Sequence, residues 1–327
     1  MRRFDIVVVG GGAGGLSAAQ YGARADRSTL LLDRNGPGGQ CTLISELENY
    51  PGIPEVISGE EFTERFVRQA ENFGAVLETA SVGAIHPENG QFRLELVDED
   101  DGGVTETIEA GSVILATGAA HRTLGVPGES ELTGRGVSYC ATCDGPMFRD
   151  RTMVVVGGGD AAFDEATFLS RLTERVILVH RREEFRAQGA LVERVRSNPN
   201  IEIRTNTVVD RVLSAPNHFG INAVSAVELR NLQTGAVVEQ AAEALFVFIG
   251  SDPVTGLVPF AERDSLGYVI TDNHMQSSVP GLFAVGDVRA TPFRQLVVAA
   301  ADGAIAAHAA SQHVAEQEQS GVATTSI

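Results

Sequence analysis

The first third of the chain alternates between apolar segments and segments with helical spacing. An apolar run at residues 4–9 is followed by a glycine-rich loop at 10–15 and a helical segment at 16–21. A second apolar run at 29–32 ends in Asp33. Short apolar runs bounded by glycine are typical of buried strands, so this order predicts the strand, helix and strand of a parallel α/β sheet.

The next segments continue the same domain. Residues 60–73 place apolar side chains at helical spacing, and residues 75–108 form short alternating runs with an acidic hairpin turn at 98–103. A buried-type strand at 112–118 then ends in small residues, and the chain becomes polar and proline-bearing from 119. We place a domain junction there.

An internal repeat predicts a second domain of the same kind. The hexapeptide Val-Val-Val-Gly-Gly-Gly at 7–12 recurs at 154–159, an offset of 154 − 7 = 147 residues. Adding that offset to Asp33 gives His180, at the end of the apolar run 176–179. Each copy therefore has a strand, a glycine loop and a second strand.

The end of the chain returns to the first domain. An apolar strand at 245–250 leads to a second junction near 249, and a strand ends in Gly286 and Asp287 before an alanine-rich helix at 296–310. The residues after about 314 are expected to be frayed. We predict an α/β fold with two Rossmann-like three-layer nucleotide-binding domains, the second inserted into the first: 1–118, 119–248 and 249–327.

Composition limits the class of protein. The 327 residues suggest about two domains, and 43% of them are hydrophobic. No apolar run reaches the ~18 residues of a membrane span, and the N-terminus runs directly into a strand, which favours a cytoplasmic protein. The net charge of −18 argues against a nucleic acid or an anionic membrane as partner.

The first glycine loop has the context of a dinucleotide fingerprint. Gly10, Gly12 and Gly15, with Ala13 between them, permit a tight turn, close approach of a pyrophosphate and close helix packing. Asp33 could accept hydrogen bonds from ribose hydroxyls. The alternative is a glycine-rich turn without a ligand.

The second loop carries a different signal. Where the first copy has a carboxylate, the second has His180 followed by guanidinium groups, which suit the 2′-phosphate of NADPH. The alternative is a solvated basic helix start beside Glu183 and Glu184. The candidate residues of this site are Gly157, Gly159, Asp160, Ala161, His180, Arg181, Arg182 and Arg186.

Cys140 and Cys143, followed by Asp144, form the candidate redox centre. Two cysteines three apart at a turn into a helix can close a small disulfide ring, and the carboxyl group can carry a proton. Half a zinc site has the same spacing, but no second ligand pair is evident in the sequence, so we expect no metal. Cys41 could be a second redox group or a small buried residue.

With these motifs, the chain resembles the low-molecular-weight bacterial type of thioredoxin reductase over nearly its full length. The resemblance rests on both glycine loops, Cys-Ala-Thr-Cys-Asp-Gly at 140–145, His-Arg-Arg-x-x-x-Arg at 180–186, Gly-Asp at 286–287 and Arg-Gln at 294–295. It implies FAD in the first domain, NADPH in the second, a homodimer, and thioredoxin as partner. The FAD contacts it implies include Gly10, Gly12, Gly15, Gln40, Asn49, Gly286, Asp287, Arg294 and Gln295.

The resemblance also implies roles for the dithiol. Cys143 would face the flavin, Cys140 would attack thioredoxin, and Asp144 would be the acid/base, with a rotation of the inserted domain presenting each site in turn. The chain departs from the family pattern at Ser251 and Phe293, where histidine and tyrosine are common. Three alternatives stay open: electrons from ferredoxin or another carrier, a small-molecule dithiol oxidase, and a redox-sensing binding module.

Overall fold

The computed structural model describes residues 1–44, 47, 49–217 and 220–321. The chain divides into two compact units, one formed by Met1–Ala120 with Asp252–Ile327 and the other by His121–Ser251. The domain limits expected from the sequence, 118 and 248, lie within three residues of these. The second unit is therefore inserted into the first.

The secondary structure alternates as the apolar pattern predicts. The strands are β1 (Arg2–Val9), β2 (Thr29–Asp33), β3 (Val76–Thr79), β4 (Ser81–Glu88), β5 (Gln91–Val97), β6 (Val104–Leu115), β7 (Ala119–His121), β8 (Val137–Ser138), β9 (Met153–Gly157), β10 (Val176–Val179), β11 (Ile201–Arg204), β12 (Thr207–Pro216), β13 (Asn222–Asn231), β14 (Val237–Ala241), β15 (Ala244–Phe248), β16 (Ser251–Pro253) and β17 (Leu282–Ala284). The α-helices are α1 (Ala13–Arg24), α2 (Gly59–Asn72), α3 (Ala141–Asp144), α4 (Asp160–Leu169), α5 (Gly189–Arg196) and α6 (Leu296–Gln319).

The first unit is built on a sheet in the order β3-β2-β1-β6-β5-β4, with β17 also paired to β6. Strands β1, β2, β3 and β17 run parallel to their neighbours, whereas β4, β5 and the first half of β6 are antiparallel. Successive residues of a strand face opposite sides of a sheet. Accordingly Ile6 and Val8 pack with α1 and α6, and Val7 and Val9 pack into a core shared with β4 and β5.

The second unit repeats this arrangement. Its parallel sheet has the order β11-β10-β9-β15-β8, and a separate antiparallel sheet has the order β12-β13-β14. Val155 faces a core formed with α4 and α5, while Val154 and Val156 face a core formed with β12 and β13. Each unit is a three-layer α/β domain, which confirms the predicted fold class.

The register of the sheets shows that the two copies of the repeat are structurally equivalent. In the first unit Val9 pairs with Leu32, and in the second Val156 pairs with Val179. These pairs differ by 156 − 9 = 147 and 179 − 32 = 147 residues, the offset found in the sequence. His180 therefore stands where the first unit has Asp33.

One expectation about the C-terminus was wrong. We expected fraying after residue 314, but α6 continues to Gln319; residues 322–327, which the expectation also covered, lie outside the described part of the chain. The helix is anchored by the connection between α1 and β2, because the Arg27 guanidinium donates to Glu318 Oε1 at 3.0 Å and to the carbonyl oxygen of Ser311 at 3.4 Å. The local polar sequence could not reveal this anchor.

Candidate functional site

The glycine loop of the first unit is shaped by close backbone approaches. Gly10 has φ +110°, a conformation that favours glycine, and a Cβ on Gly15 would lie 1.8 Å from the Gly10 carbonyl oxygen. In contrast, a Cβ on Gly12 would meet nothing within 4 Å. Gly12 is the N-cap of α1, and no side chain caps that end. An uncapped helix N-terminus facing open space fits the pyrophosphate of a dinucleotide such as FAD.

Two alanine substitutions separate the roles of these glycines. Gly15→Ala should destabilise the fold by about 1–3 kcal/mol, because its methyl group collides with backbone. Gly12→Ala should leave the thermal unfolding of the flavin-free protein nearly unchanged but weaken FAD binding by ~10-fold or more, because the methyl group enters the phosphate space. Flavin titration and thermal unfolding of both variants measure this. Unchanged FAD affinity in Gly12→Ala would contradict the placement of the phosphate.

Asp33 closes the loop from the neighbouring strand. Its Oδ2 accepts the Gly11 N–H at 2.7 Å and its Oδ1 accepts the Asn35 N–H at 2.9 Å. A carboxylate oxygen accepts more than one hydrogen bond, so a ribose hydroxyl can still bind there. The structure thus shows that Asp33 braces the glycine loop.

Two candidate FAD contacts that are far apart in sequence meet in the fold. The Asn49 side-chain amide donates to Gln295 Oε1 at 3.3 Å, and Gln295 is the N-cap of α6. Arg294 beside it stacks on the Tyr268 ring, with its guanidinium carbon 4.4 Å from the ring centroid. Gln40 takes a different position, donating to the Ala119 carbonyl oxygen at 2.5 Å.

The Gly-Asp turn is held by a buried carboxylate that sequence analysis missed. Asp302 on α6 accepts the Gly286 N–H at 3.1 Å and pairs with Arg289 at 3.2 Å. Gly286 has φ +66°, and burial raises the pKa of Asp287 while Arg294 opposes that rise. The sequence did hold a sign of this role, because Asp302 is an isolated acid in the alanine-rich stretch. A carboxylate in an apolar helix needs a polar partner when it is buried.

The second glycine loop has the same open helix start. A Cβ on Gly159, the N-cap of α4, would meet nothing within 4 Å, and no side chain caps that end. The neighbouring Gly157 is close-packed, because a Cβ there would lie 2.5 Å from the Ala162 Cβ. Ala162 therefore fills the position of the third glycine.

The segment after β10 lies against this loop and is not a helix start. Residues 181–188 are non-helical, and α5 begins only at Gly189. The N–H groups of Arg186 and Ala187 donate to the Gly158 carbonyl oxygen at 2.8 and 3.2 Å, which brings Arg186 beside the loop. Asp160 holds the end of this segment, because its carboxylate accepts two hydrogen bonds from Gln188 at 2.8 and 2.9 Å.

The basic side chains of this segment suit a phosphate. Arg181, Arg182 and Arg186 are exposed, and within the described residues no carboxylate forms a salt bridge with them. The His180 imidazole covers Gly158, and its Nε2 is buried without a hydrogen-bond partner among the described residues. Burial lowers the His180 pKa, and the charges of the adjacent arginines add to that effect. These groups fit a nucleotide 2′-phosphate.

The candidate redox centre is a disulfide at the start of α3. Cys140 and Cys143 are bonded to each other, with Cα atoms 5.3 Å apart. Cys140 is the N-cap of the short helix Ala141–Asp144, as the spacing predicted, and Asp144 ends it. Within the described part of the chain, no cluster of three or more metal-ligating side chains is assembled. The disulfide favours the redox interpretation over half a zinc site.

Burial raises the pKa of Asp144, and the Ser138 hydroxyl opposes that rise. A carboxyl group with a raised pKa can hold and release a proton closer to neutral pH. Sequence analysis missed Ser138, and it also missed Glu129. The Glu129 carboxylate is 2% exposed and accepts hydrogen bonds from Leu124 N–H, Gly125 N–H and Tyr139 OH at 2.8, 2.8 and 3.0 Å. It therefore braces the segment that leads to Cys140.

Cys41 behaves as a core residue. Its side chain is 3% exposed among Ala13, Leu47 and Phe62, and burial raises its pKa to about 11. The thiol therefore stays protonated near pH 7, whereas the thiolate is the reactive form. The structure favours the small buried residue over a second redox group.

Comparison with known proteins places this architecture in a family. The family model for pyridine nucleotide-disulphide oxidoreductase matches residues 4–305. A thioredoxin reductase from Treponema pallidum (strain Nichols) is 50% identical over 311 residues, covering 95% of this chain and 97% of that protein.

Solved structures of thioredoxin reductases have the same fold as this chain. The crystal structure of thioredoxin reductase from Streptococcus pyogenes MGAS5005 matches with a TM-score of 0.87 and 39% identity, covering 96% of this chain and 99% of that one. Thioredoxin reductase from Giardia duodenalis matches with a TM-score of 0.87 and 35% identity, covering 96% and 100%. None of the described helices is long and apolar enough to cross a membrane. Thioredoxin reductases are among the relatives that share nearly the whole length of the chain, and they agree with the two glycine loops and the disulfide. The chain is therefore an oxidoreductase of the pyridine nucleotide-disulphide oxidoreductase family.

Proposed function

We propose that the protein is a thioredoxin-disulfide reductase that draws electrons from NADPH through FAD. The observation that carries this proposal is the Cys140–Cys143 disulfide beside a carboxyl group with a raised pKa. A redox pair with its own proton carrier suits reversible exchange with another disulfide. The full-length similarity to thioredoxin reductases supports thioredoxin as the partner.

The two cofactors fit the two open helix starts. Gly10, Gly12, Ala13 and Gly15 would hold the FAD pyrophosphate, and Asn49, Asp287 and Gln295 would hold the rest of that cofactor. Gly157, Gly159, Ala161 and the groups from His180 to Arg186 would hold NADPH. With both cofactors bound, the chemistry they would add is the supply of a hydride by NADPH and the transfer of two electrons to a disulfide through FAD.

The residues of the chain account for the exchange itself. With the dithiol reduced, Asp144 takes the proton of the Cys140 thiol, and the resulting thiolate attacks one sulfur of the thioredoxin disulfide. That S–S bond breaks, and the leaving thiolate receives the proton from Asp144. The Cys143 thiol then gives up its proton and attacks the Cys140 sulfur of the mixed disulfide. The bond between Cys140 and thioredoxin breaks, the second thioredoxin sulfur leaves and takes up that proton, and the Cys140–Cys143 bond re-forms. Two electrons and two protons leave the enzyme.

Anaerobic mixing tests the proposal. Adding NADPH to the purified flavoprotein should bleach the oxidised-flavin absorbance, and adding oxidised thioredoxin should restore it. A flavin that stays oxidised with NADPH but bleaches with reduced ferredoxin would contradict the assignment of NADPH as the electron donor. Bleaching of the flavin by a small dithiol, with a disulfide as product and recovery by oxygen but not by thioredoxin, would favour the dithiol oxidase.

The remaining parts of the proposal concern assembly and location. We propose a homodimer in the cytoplasm that binds neither nucleic acid nor membrane. Sedimentation of the holoenzyme at micromolar concentration should give twice the mass of the chain, 34.5 kDa. A monomer under those conditions would contradict the dimer without affecting the redox assignment.

A further inference from the structure

A pair of hydrogen bonds ties the segment after β10 to the first turn of α4. The Asp160 carboxylate accepts the Gln188 N–H on Oδ1 at 2.8 Å and the Gln188 side-chain amide on Oδ2 at 2.9 Å. Asp160 is the first residue of α4, and Gln188 is the N-cap of α5. We call this pair of bonds the Asp160–Gln188 clasp. It joins the helix that follows the second glycine loop to the end of the segment that carries the arginines.

The positions of both residues make the clasp informative. The Gln188 side chain caps no N–H group of its own helix and reaches Asp160 instead. Hydrogen bonds from the Gln188 backbone and side chain lower the pKa of Asp160, so the carboxylate is ionised at neutral pH. A negative charge in the first turn suits the helix dipole, but it repels an anionic ligand bound at the same end. The acid therefore weakens phosphate binding unless its hydrogen bonds contribute something in return.

The clasp is the last of several contacts that hold the segment against the loop. The N–H groups of Arg186 and Ala187 donate to the Gly158 carbonyl oxygen at 2.8 and 3.2 Å. Just before them, the Phe185 ring packs against the Phe163 ring of α4, with 4.9 Å between the ring centroids. Successive N–H groups of the segment, ending with that of the clasp, are thus bound to the loop and to the helix start.

We propose that Asp160 is a positioning residue, and that its clasp with Gln188 holds the arginine-bearing segment where that segment binds the 2′-phosphate of NADPH. This role rests on the NADPH site proposed above, and it replaces a direct contact between Asp160 and the nucleotide. Arginine side chains lose much conformational freedom when they bind a phosphate. A backbone that is already fixed reduces the ordering that binding requires.

The clasp and the charge predict opposite results for Asp160→Ala. A carboxylate that acted only through its charge would oppose the 2′-phosphate, so its removal would tighten NADP⁺ binding. Loss of the two hydrogen bonds should instead weaken NADP⁺ binding by about tenfold. NAD⁺ lacks the 2′-phosphate, so its affinity should change by less than about threefold. The ratio of the two affinities is therefore the quantity to measure.

The test uses the purified holoenzyme with its flavin oxidised. Calorimetric titration with NADP⁺ and with NAD⁺ gives both affinities without turnover, because neither oxidised nucleotide reduces the flavin. Gln188→Ala keeps its backbone N–H and loses one of the two hydrogen bonds, so the preference for NADP⁺ should fall by about threefold. The variant that combines Asp160→Ala with Gln188→Ala should lose no more preference than Asp160→Ala alone, because both changes break the same contact.

Two control variants separate the hydrogen bonds from the charge. Asp160→Asn removes the charge but keeps an acceptor oxygen for the Gln188 N–H, and turning the Gln188 amide pairs the two side chains again. Its preference for NADP⁺ should stay within about threefold of the wild-type value. Asp164→Ala removes an exposed acid one turn further along α4 and should leave the preference unchanged.

The outcomes that overturn this role are distinct from those that refute the proposed function. A preference for NADP⁺ that survives Asp160→Ala, or that falls equally in Asp160→Asn, overturns it. Equal losses for NADP⁺ and NAD⁺ together with a lower unfolding temperature also overturn it, because they mean that Asp160 only supports the helix. A wild-type holoenzyme without a preference would refute the proposed NADPH site and this role with it. Failure to reduce thioredoxin, with the preference retained, would refute only the proposed electron acceptor.

Discussion

Replacing Cys143 with serine is expected to reduce disulfide reductase activity by ~10³-fold or more, because a single thiol cannot deliver two electrons to a disulfide and regenerate itself. The Cys140–Cys143 bond is the only described disulfide, and it links residues only three apart. NADPH should still bleach the flavin of this variant, since the nucleotide-binding residues are untouched. The measurement compares flavin bleaching with thioredoxin reduction in one preparation.

The same variant assigns the two cysteines. With Cys143 gone, Cys140 should form a mixed disulfide with thioredoxin that persists, because no second thiol is present to release it. Cys140→Ser should form no such adduct. Non-reducing electrophoresis and mass spectrometry would detect the adduct. A stable adduct with Cys140→Ser but not with Cys143→Ser would reverse the proposed roles.

Cys41→Ala is the matched control for a cysteine replacement. Its thiol is buried and has a pKa raised to about 11, so its loss should lower the unfolding temperature but preserve thioredoxin reduction. Retained reduction in Cys143→Ser would refute the dithiol mechanism. A redox-sensing binding module would show no disulfide reduction even before substitution, and it would keep its partner binding in both variants.

Removing two guanidinium groups should change the choice of nucleotide. In Arg181→Ala combined with Arg182→Ala, kcat/KM for NADPH should fall by about 100-fold, because charge-assisted hydrogen bonds to the 2′-phosphate are lost. The value for NADH, which has a free hydroxyl there, should change little. Both side chains are exposed, so the fold should tolerate the change. Steady-state kinetics with both nucleotides measure the ratio.

Arg196→Ala is the matched control, because this exposed arginine of α5 lies in the same unit and pairs with Glu193 at 3.3 Å. It removes a positive charge without touching the segment after β10. Equal losses for NADPH and NADH in the double variant would mean that the arginines act through general charge or folding. No loss for either nucleotide would favour a different electron carrier.

Much of the chemistry is local in sequence, and that part was predictable. The glycine loops need particular φ values and close approaches within a few residues, as at Gly10 and Gly15. The disulfide spans three residues. The equivalence of Asp33 and His180 followed from a repeat whose offset the strand register preserves.

The supports of these motifs were not predictable, because their partners are distant in sequence. Asn49 meets Gln295 across 246 residues, and Asp302 reaches back to Gly286 from a later helix turn. Asp33 was predicted as a ribose acceptor, but its role as a brace depends on where Gly11 comes to lie. The hydrogen-bond partner of a polar side chain is decided only when packing has brought the two groups together.

The sequence by itself determined the fold class, the two glycine loops, the dithiol and the change from carboxylate to guanidinium groups, since each depends on short spacings and strand periodicity. Only the tertiary structure decided how these groups are held. It placed Ser138 and Glu129 around the segment that carries the dithiol. It also extended α6 as far as Gln319, where Arg27 holds the last turns, and it packed the segment after β10 against Gly158. Those arrangements result from buried polar groups finding partners as the chain packs, which no local pattern encodes.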